Sequence, residues 1–247
     1  MRVALVTGSS RGLGRHIAYR LASDGFAVAV NGLDAGAAEA VAQAIRDEGG
    51  TAAAFPADVT DEEEVGALVS TVAAVLGPVG VLVVNATGPQ PEAPVEEVTW
   101  EDHLDQLAFF VRSPVLLLRA TLPSMRERGF GRIVHVDSEV ADRPPPGRSA
   151  YAAAKSAQIG LARAWAAELA PYGITVNSVA PGFIPVERHA DKPEESLADY
   201  VAGVPAGRFG TPAELAHAVA FFASDEAAFV TGQRIVVDGG RGLGPLS

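Results

Sequence analysis

The sequence has no cysteine among its 247 residues. This absence excludes disulfides, thiolate metal ligands and a cysteine nucleophile. Basic residues are also scarce, because 19 Lys and Arg face 30 Asp and Glu, which gives a formal net charge of −11. General nucleic-acid binding needs a basic surface, so this charge argues against it but is compatible with a local basic pocket for a phosphate.

Long apolar runs are missing as well. No uninterrupted run approaches the ~18 residues of a membrane span, and the first strand-like run begins at Arg2, which leaves no space for a signal or transit peptide. The five histidines show no metal-ligand spacing. We therefore expect a cytoplasmic protein with no metal, no membrane partner and no nucleic-acid partner.

Seven short apolar runs alternate with helical patterns along the whole chain, without a linker, a repeat or a low-complexity segment. This alternation is typical of a doubly wound parallel sheet with helices on both faces. Hydrophobic residues make up 48% and charged residues 20%, which favours one compact α/β domain over residues 1–247. The predicted strands are 2–7, 26–31, 51–55, 79–84, 132–137, 174–179 and 235–238.

A glycine-rich turn separates the first predicted strand from the first predicted helix. Gly8, Gly12 and Gly14 would let the backbone turn sharply and approach a ligand closely. A strand, a glycine-rich turn and a helix can place a pyrophosphate on the N–H groups of the helix N-terminus. A turn without a ligand is the alternative, but the second strand follows at the spacing of a βαβ unit and favours dinucleotide binding.

The end of the second predicted strand indicates which nicotinamide cofactor fits. An acidic residue there would hold the ribose 2′-hydroxyl of NAD, but this chain has Asn31 followed by Gly32 and Leu33. Arg11, in the glycine loop, can face a 2′-phosphate. NADP(H) is therefore favoured, and Asp34 keeps NAD(H) as an alternative.

Three residues later in the chain suggest acid–base chemistry. Tyr151 and Lys155 are four apart in an alanine-rich run, so both side chains leave one helical face. An ammonium beside a phenol lowers its pKa from about 10, and such a phenol can exchange a proton with a substrate oxygen near neutral pH. Ser138 follows the fifth predicted strand. The tyrosine–lysine pair alone is weak evidence, because this spacing occurs by chance in many helices.

Together these motifs resemble those of the short-chain dehydrogenase/reductase family, most closely its 3-oxoacyl-[acyl-carrier-protein] reductases and related ketoreductases. The resemblance covers essentially the whole chain. Its motifs are Thr7–Gly14, Asp58-Val59, Ser138, Tyr151-x-x-x-Lys155, Val176–Gly182, Thr231-Gly232 and Val237–Gly240. It implies a Rossmann-type, three-layer fold with seven strands in the order 3-2-1-4-5-6-7, and a homotetramer or homodimer.

The resemblance also implies a role for each matching residue. Tyr151 would be the general acid/base, Ser138 would hydrogen-bond the substrate oxygen, and Lys155 would bind the nicotinamide ribose and lower the pKa of Tyr151. The cofactor-binding residues would be Gly8, Ser10, Arg11, Gly12, Leu13, Gly14, Asn31, Asp58, Val59, Asn85, Tyr151, Lys155, Pro181, Gly182 and Ile184.

Two positions depart from the family pattern. The usual Asn-Asn-Ala-Gly after the fourth strand reads here as 84–87 or, shifted by one residue, as 85–88. In the long helical run from Trp100 to about Arg128, which we expect to break near Pro114, Phe110 falls where the family places an asparagine. That asparagine helps to hold a water beside the lysine. Gln106 and His103 are candidate substitutes, and we hypothesise a rewired proton relay.

The sequence thus predicts an NADP(H)-preferring oxidoreductase that interconverts a carbonyl and a secondary alcohol, with a 3-oxoacyl thioester as the leading substrate class by resemblance. One alternative is an NAD-dependent dehydrogenase of a sugar, steroid or other small alcohol. A weakly catalytic or non-catalytic dinucleotide-binding regulator is the other, supported only by Phe110 and the altered Asn85 motif. Frequent charge, proline and glycine over 185–207 predict a lid above the site.

Overall fold

A computed structural model describes residues 1–190 and 193–244 of the chain. Seven strands form one parallel sheet in the order β3-β2-β1-β4-β5-β6-β7, which confirms the predicted order. Each predicted strand agrees with the observed one to within two residues at either end. The strands are β1 (Val3–Val6), β2 (Ala27–Gly32), β3 (Thr51–Pro56), β4 (Val79–Val84), β5 (Gly131–Val136), β6 (Ile174–Pro181) and β7 (Arg234–Val237).

Helices cover both faces of this sheet. They are α1 (Gly12–Ser23), α2 (Ala35–Asp47), α3 (Glu62–Val75), α4 (Trp100–Leu107), α5 (Ser113–Arg128), α6 (Ser149–Leu169), α7 (Glu194–Ala202) and α8 (Pro212–Ala223). Short 3₁₀ turns lie at Glu139–Ala141, Ala170–Tyr172, Glu187–His189 and Arg241–Leu243.

Each face of the sheet carries its own hydrophobic core. Along β1, Val6 packs with α1, α2 and α8, whereas Leu5 packs with α3, α5 and α6. Successive side chains of a strand point to opposite faces, and both faces are covered, so each inner strand is an almost continuous apolar run. The carboxyl ends of the strands therefore meet at one edge, where the sequence places its candidate residues.

The helical run between β4 and β5 does not break near Pro114 as the sequence predicts. A π-helical turn, Ala108–Arg112, connects α4 to α5 without interruption. Pro114 lies in the first turn of α5 and has no N–H to donate one turn back. The wider π turn therefore precedes the proline in place of a break, and it carries Phe110.

This long run, Trp100–Arg128, is apolar enough to cross a membrane by length and composition alone. Leu117 and Met125 within it are completely buried, and α5 packs against α3 and β4. Part of the apolar surface of this run is therefore packed against the sheet and α3.

Candidate active site

A cleft of about 740 Å³ runs along the carboxyl edge of the sheet. Every residue that the family resemblance assigns to the cofactor or to catalysis lines this cleft. Parallel strands bring their carboxyl ends to the same edge, which is where open α/β sheets bind ligands. The cleft therefore brings together segments from Gly8 to Ile184 that are distant in sequence.

The glycine loop at one end of the cleft allows no side chains at two of its positions. A Cβ on Gly14 would lie 2.3 Å from the carbonyl oxygen of Gly8, and one on Gly8 would lie 2.8 Å from the Cα of Ala86. Gly8 and Gly12 also have φ of +62° and +57°, which side chains disfavour. Arg11, at the N-cap of α1, makes no side-chain cap. The Gly12 N–H instead helps to lower the pKa of the Glu187 carboxyl, which shows that the first N–H groups of this helix can meet an anion.

Two asparagines, both predicted to contact the cofactor, bind the backbone of this loop. The Asn85 Nδ2 donates to the carbonyl oxygens of Thr7 (2.9 Å) and Gly8 (3.0 Å). Asn31 Oδ1 accepts from the Gly8 N–H at 3.3 Å, and Asn31 Nδ2 donates to the Phe55 carbonyl oxygen at 3.0 Å. Both side chains line the cleft, but these polar groups fix the loop.

The far end of the cleft holds the residues that would select between NADP and NAD. Asp34 caps α2, where its carboxylate accepts from the Ala37 N–H at 2.9 Å. Gly32 lies directly under Ser10, since a Cβ there would be 2.5 Å from the Ser10 Oγ. Arg11 is exposed at the rim of the same region. The Asp34 carboxylate is therefore engaged by the N-terminus of α2, whereas the Arg11 guanidinium is exposed and can bind a phosphate.

Asp58 and Val59 form the wall beside this region, after β3. The Asp58 carboxylate accepts from the N–H (2.8 Å) and the hydroxyl (2.7 Å) of Thr60. The Asp58 N–H donates to the Glu64 carboxylate at 2.7 Å, and Val59 is buried. These contacts fix a short turn whose apolar side faces the cleft.

Ser138, Tyr151 and Lys155 line the middle of the cleft. Ser138 directly follows β5, and its Oγ accepts from the Val140 N–H at 3.2 Å. Tyr151 and Lys155 lie in the first two turns of α6. The Lys155 ammonium is buried and donates to the carbonyl oxygen of Val136 at 2.7 Å. The fold therefore brings together the three residues that the sequence nominates.

Phe110 lies against both members of the tyrosine–lysine pair. Its ring meets the Tyr151 ring edge-on, with centroids 5.4 Å apart, and the Lys155 Nζ lies 4.0 Å from the Phe110 centroid. Gln106, one of the predicted substitutes, instead donates to the Pro89 carbonyl oxygen at 2.8 Å. His103 Nδ1 lies 2.8 Å from the Thr99 carbonyl oxygen, within its own helix.

The charge of Lys155 affects the pKa values of two groups: His135, which lies on β5, and Asp137, which directly follows that strand. Burial, with a smaller contribution from Lys155, lowers the pKa of His135 to about 3, so its imidazole is neutral. Burial raises the pKa of the Asp137 carboxyl. The positive charges of Lys155 and Arg234 lower this pKa, but by less than burial raises it. Arg234 Nε lies 2.5 Å from the Asp137 carboxylate.

Two arginines near the chain's end, which we call the C-terminal arginines (Arg234 and Arg241), were not nominated from the sequence. Arg234 also donates to the Ser138 carbonyl oxygen at 2.9 Å and to the Asp142 carboxylate at 2.6 Å. Arg241 donates to the Glu139 carboxylate at 3.1 Å. The segment that carries Ser138 is thus attached to the end of the chain. Asp137 is the residue from which the sequence could have suggested such an arginine, because an acidic residue at the end of a buried strand needs a partner of opposite charge.

The segment 185–207, predicted to be a lid, stands over the cleft in part, and its residues 191–192 lie outside the described residues. Arg15 and Glu187 form an ion pair of 2.6 Å above the glycine loop. The Tyr200 hydroxyl donates to the Glu139 carboxylate at 2.8 Å and accepts from the Phe183 N–H at 2.6 Å. Burial is the main reason why the pKa of Tyr200 is raised.

Comparisons with known proteins agree with this geometry. A family model described as enoyl-(acyl carrier protein) reductase matches residues 8–241. The 3-oxoacyl-[acyl-carrier-protein] reductase FabG of Staphylococcus aureus is 39% identical over 242 residues, which cover 96% of each chain. A gluconate 5-dehydrogenase of Burkholderia cenocepacia, solved with NADP and tartrate, superposes with a TM-score of 0.93 at 32% identity, covering 99% of this chain and 96% of that one. A 3-oxoacyl (acyl-carrier-protein) reductase of Agrobacterium tumefaciens, solved with NADP bound, gives a TM-score of 0.90 at 37% identity, covering 96% and 93%.

Proposed function

Because this chain belongs to the short-chain dehydrogenase/reductase family, we propose that it is an NADP(H)-preferring ketoreductase, which interconverts a carbonyl and a secondary alcohol. The observation that carries this proposal is that Ser138, Tyr151 and Lys155 line one cleft with the glycine loop. The relatives named for carbonyl–alcohol chemistry, two of them solved with NADP, support it.

The cleft fits a dinucleotide on three grounds: the N-terminus of α1, which Arg11 does not cap, the glycine positions that admit no Cβ, and the exposed Arg11 side chain. The glycine loop would hold the pyrophosphate, and Arg11 with Ser10 would hold the 2′-phosphate. The adenine side would be Asp58 and Val59. The nicotinamide side would be lined by Asn85, Pro181, Gly182 and Ile184.

When bound, NADPH supplies the hydride. The Tyr151 hydroxyl gives its proton to the substrate oxygen, and Ser138 donates a hydrogen bond to the same oxygen. The Ser138 Oγ already accepts from Val140, which leaves its own hydrogen for the substrate. The Lys155 ammonium would bind the nicotinamide ribose, and it stabilises the phenolate of Tyr151 after the proton has left.

A 3-oxoacyl thioester is the substrate class that we place first. The Staphylococcus and Agrobacterium relatives carry that substrate in their names. The lining of the cleft includes apolar side chains that suit an acyl chain: Pro89, Phe109, Val140, Pro145 and Phe183. A sugar or other small alcohol is the second candidate, because the gluconate 5-dehydrogenase is equally close in fold. Phe110 beside the catalytic pair is the support for a non-catalytic binder.

We further propose one domain, a substrate lid at about 185–207, a cytoplasmic location and a homotetramer or homodimer. Exposed apolar side chains on two separate surfaces support self-association: Trp100 and Leu104 on α4, and Phe229, Ile235 and Val236 around β7. Light scattering coupled to size-exclusion chromatography measures the oligomer, and a monomer at micromolar concentration would contradict it.

The experiment that tests the function is a fluorescence titration with NADPH and NADH, followed by a panel of 3-oxoacyl thioesters, sugar acids and simple ketones. We expect tighter binding of NADPH and its oxidation by a thioester. Oxidation with a sugar acid alone would favour the second candidate. Tight binding without turnover of any substrate would favour the non-catalytic binder.

A further inference from the structure

Three uncharged groups, provided by its own helix and by neighbouring segments, contact the Lys155 ammonium. It donates to the Val136 carbonyl oxygen at 2.7 Å and to the Gln158 Oε1 at 3.1 Å. The face of the Phe110 ring lies 4.0 Å from the same nitrogen. We propose that Gln158 is a positioning residue for Lys155, and that Gln158 and Phe110 together take the place of a hydrogen-bonding residue on the neighbouring helix.

Gln158 is well placed for this role. It lies one turn after Lys155 on α6, where residues three apart are neighbours on the helix surface. Both side chains are buried, with 1% and 4% of their surfaces exposed. A hydrogen bond to a buried charge is costly to lose, because water cannot replace it. The amide oxygen therefore restrains where the ammonium can lie.

The neutrality of these partners matters for the chemistry. An amide oxygen and a ring face both attract the ammonium without cancelling its charge. Neither group reduces the positive charge that Lys155 brings to the phenol of Tyr151, which lies one helical turn before it. A carboxylate at position 158 would hold the ammonium in the same place and offset its charge.

Gln106 is the competing candidate on the neighbouring helix. Its Nε2 is engaged by the Pro89 carbonyl oxygen at 2.8 Å, and its Oε1 is buried without a hydrogen-bond partner among the described residues. Phe110 has no hydrogen-bonding group and lies between its own π turn and the pair on α6. The geometry therefore assigns the amide that holds Lys155 to α6.

The test compares Gln158→Leu and Gln158→Met with the wild type, in NADPH affinity and in kcat and KM for the best carbonyl substrate. The expected loss of kcat rests on the proposed function of Lys155 in catalysis. We expect kcat/KM to fall about tenfold or more, mainly through kcat, and NADPH binding to weaken. Gln43→Leu is the matched control, because Gln43 is an exposed glutamine that bonds only within α2 in its described contacts; it should behave as wild type.

Gln158→Glu separates position from charge. It retains an acceptor oxygen, so we expect NADPH affinity close to that of the wild type, with kcat still reduced. Wild-type kcat and NADPH affinity in Gln158→Leu, or in Gln158→Met if the leucine variant does not fold, would overturn the proposal. So would a full rate in Gln158→Glu, or a loss in Gln106→Leu that exceeds the loss in Gln158→Leu. A wild type without turnover would instead contradict the proposed function, and the NADPH affinities would still test the role of Gln158.

Discussion

The cofactor side of the cleft is shaped by backbone groups and neutral amides, whereas the substrate side is held by charged side chains. At the glycine loop, Asn31 and Asn85 bind carbonyl oxygens and an N–H, and Gly14 leaves no space for a Cβ. Around Ser138, the C-terminal arginines bind the carboxylates of Asp137, Glu139 and Asp142.

This difference has an energetic meaning. A tightly packed site is disrupted when an atom is added, and the energetic cost depends on how far the neighbouring atoms can move. A buried ion pair destabilises the fold when one partner is removed, because the other charge is then buried without compensation. The Asp137 carboxylate is completely buried and Arg234 is 14% exposed, so the substrate side belongs to the second kind.

The largest effect should come from removing the chemistry while both sides of the cleft stay intact. Tyr151→Phe removes only the phenolic oxygen, so we expect kcat to fall by about 10²–10⁴. NADPH affinity and the melting temperature should stay near those of the wild type. Near-normal turnover in this variant would contradict the role of Tyr151.

Removing Arg234 breaks the substrate side. Arg234→Leu leaves the buried Asp137 carboxylate without its ion-pair partner, so we expect a loss of about 3–5 kcal/mol in the free energy of unfolding, measured by urea denaturation. The double variant with Asp137→Asn should recover much of this loss. Arg2→Leu is the control, because its pair with Asp225 is exposed and should contribute less than about 1 kcal/mol. Equal losses in Arg2→Leu and Arg234→Leu would contradict the assignment.

Adding one methyl group breaks the cofactor side. In Gly14→Ala the new Cβ would lie 2.3 Å from the Gly8 carbonyl oxygen and 2.5 Å from the Asn85 Nδ2. We expect NADPH affinity to fall about 10–100-fold, which corresponds to the usual cost of overpacking. Gly66→Ala is the matched control, since Gly66 lies in α3 with open space at its Cβ. Unchanged NADPH binding in Gly14→Ala would show that the loop can move aside.

The last prediction is a pH dependence of the free energy of unfolding, which His135 on β5 should cause. The folded chain keeps His135 neutral down to about pH 3, whereas the ordinary pKa of histidine is 6.5. The unfolded chain therefore binds an extra proton between these values. The free energy of unfolding should fall as the pH falls below 6.5, by up to about 1.4 kcal/mol per pH unit. His135→Asn should flatten this slope between pH 6.5 and 5, and the exposed His217→Asn should not. An unchanged slope in His135→Asn would contradict this account.

The same division explains what the sequence could predict. The glycine loop, its strand and its helix are adjacent in the chain, so local spacing predicts the cradle. The confirmed strand order was implied by the family resemblance. Arg234 and Arg241 lie 97 and 102 residues from their carboxylate partners, and no local pattern connects them. Glu139 directly follows Ser138 in the sequence, yet its partners, Arg241 and Tyr200, lie 102 and 61 residues further along the chain.

Phe110 lies between these cases. Its departure from the family pattern was visible in the sequence, and the expected break near Pro114 was wrong because a π turn connects the two helices. The contact of its ring with Lys155 could not be predicted, because it depends on how that turn directs the side chain. Nor does the spacing of Lys155 and Gln158 alone reveal a hydrogen bond, since many helices carry such a pair on a solvated face.

The C-terminal arginines have a consequence for how the protein is made. Translation proceeds from the N-terminus, so the glycine loop and Asn85 leave the ribosome long before Arg234 and Arg241 are synthesised. Ser138 also emerges while its anchoring charges do not yet exist. The glycine loop can therefore form before the segment that carries Ser138 is anchored.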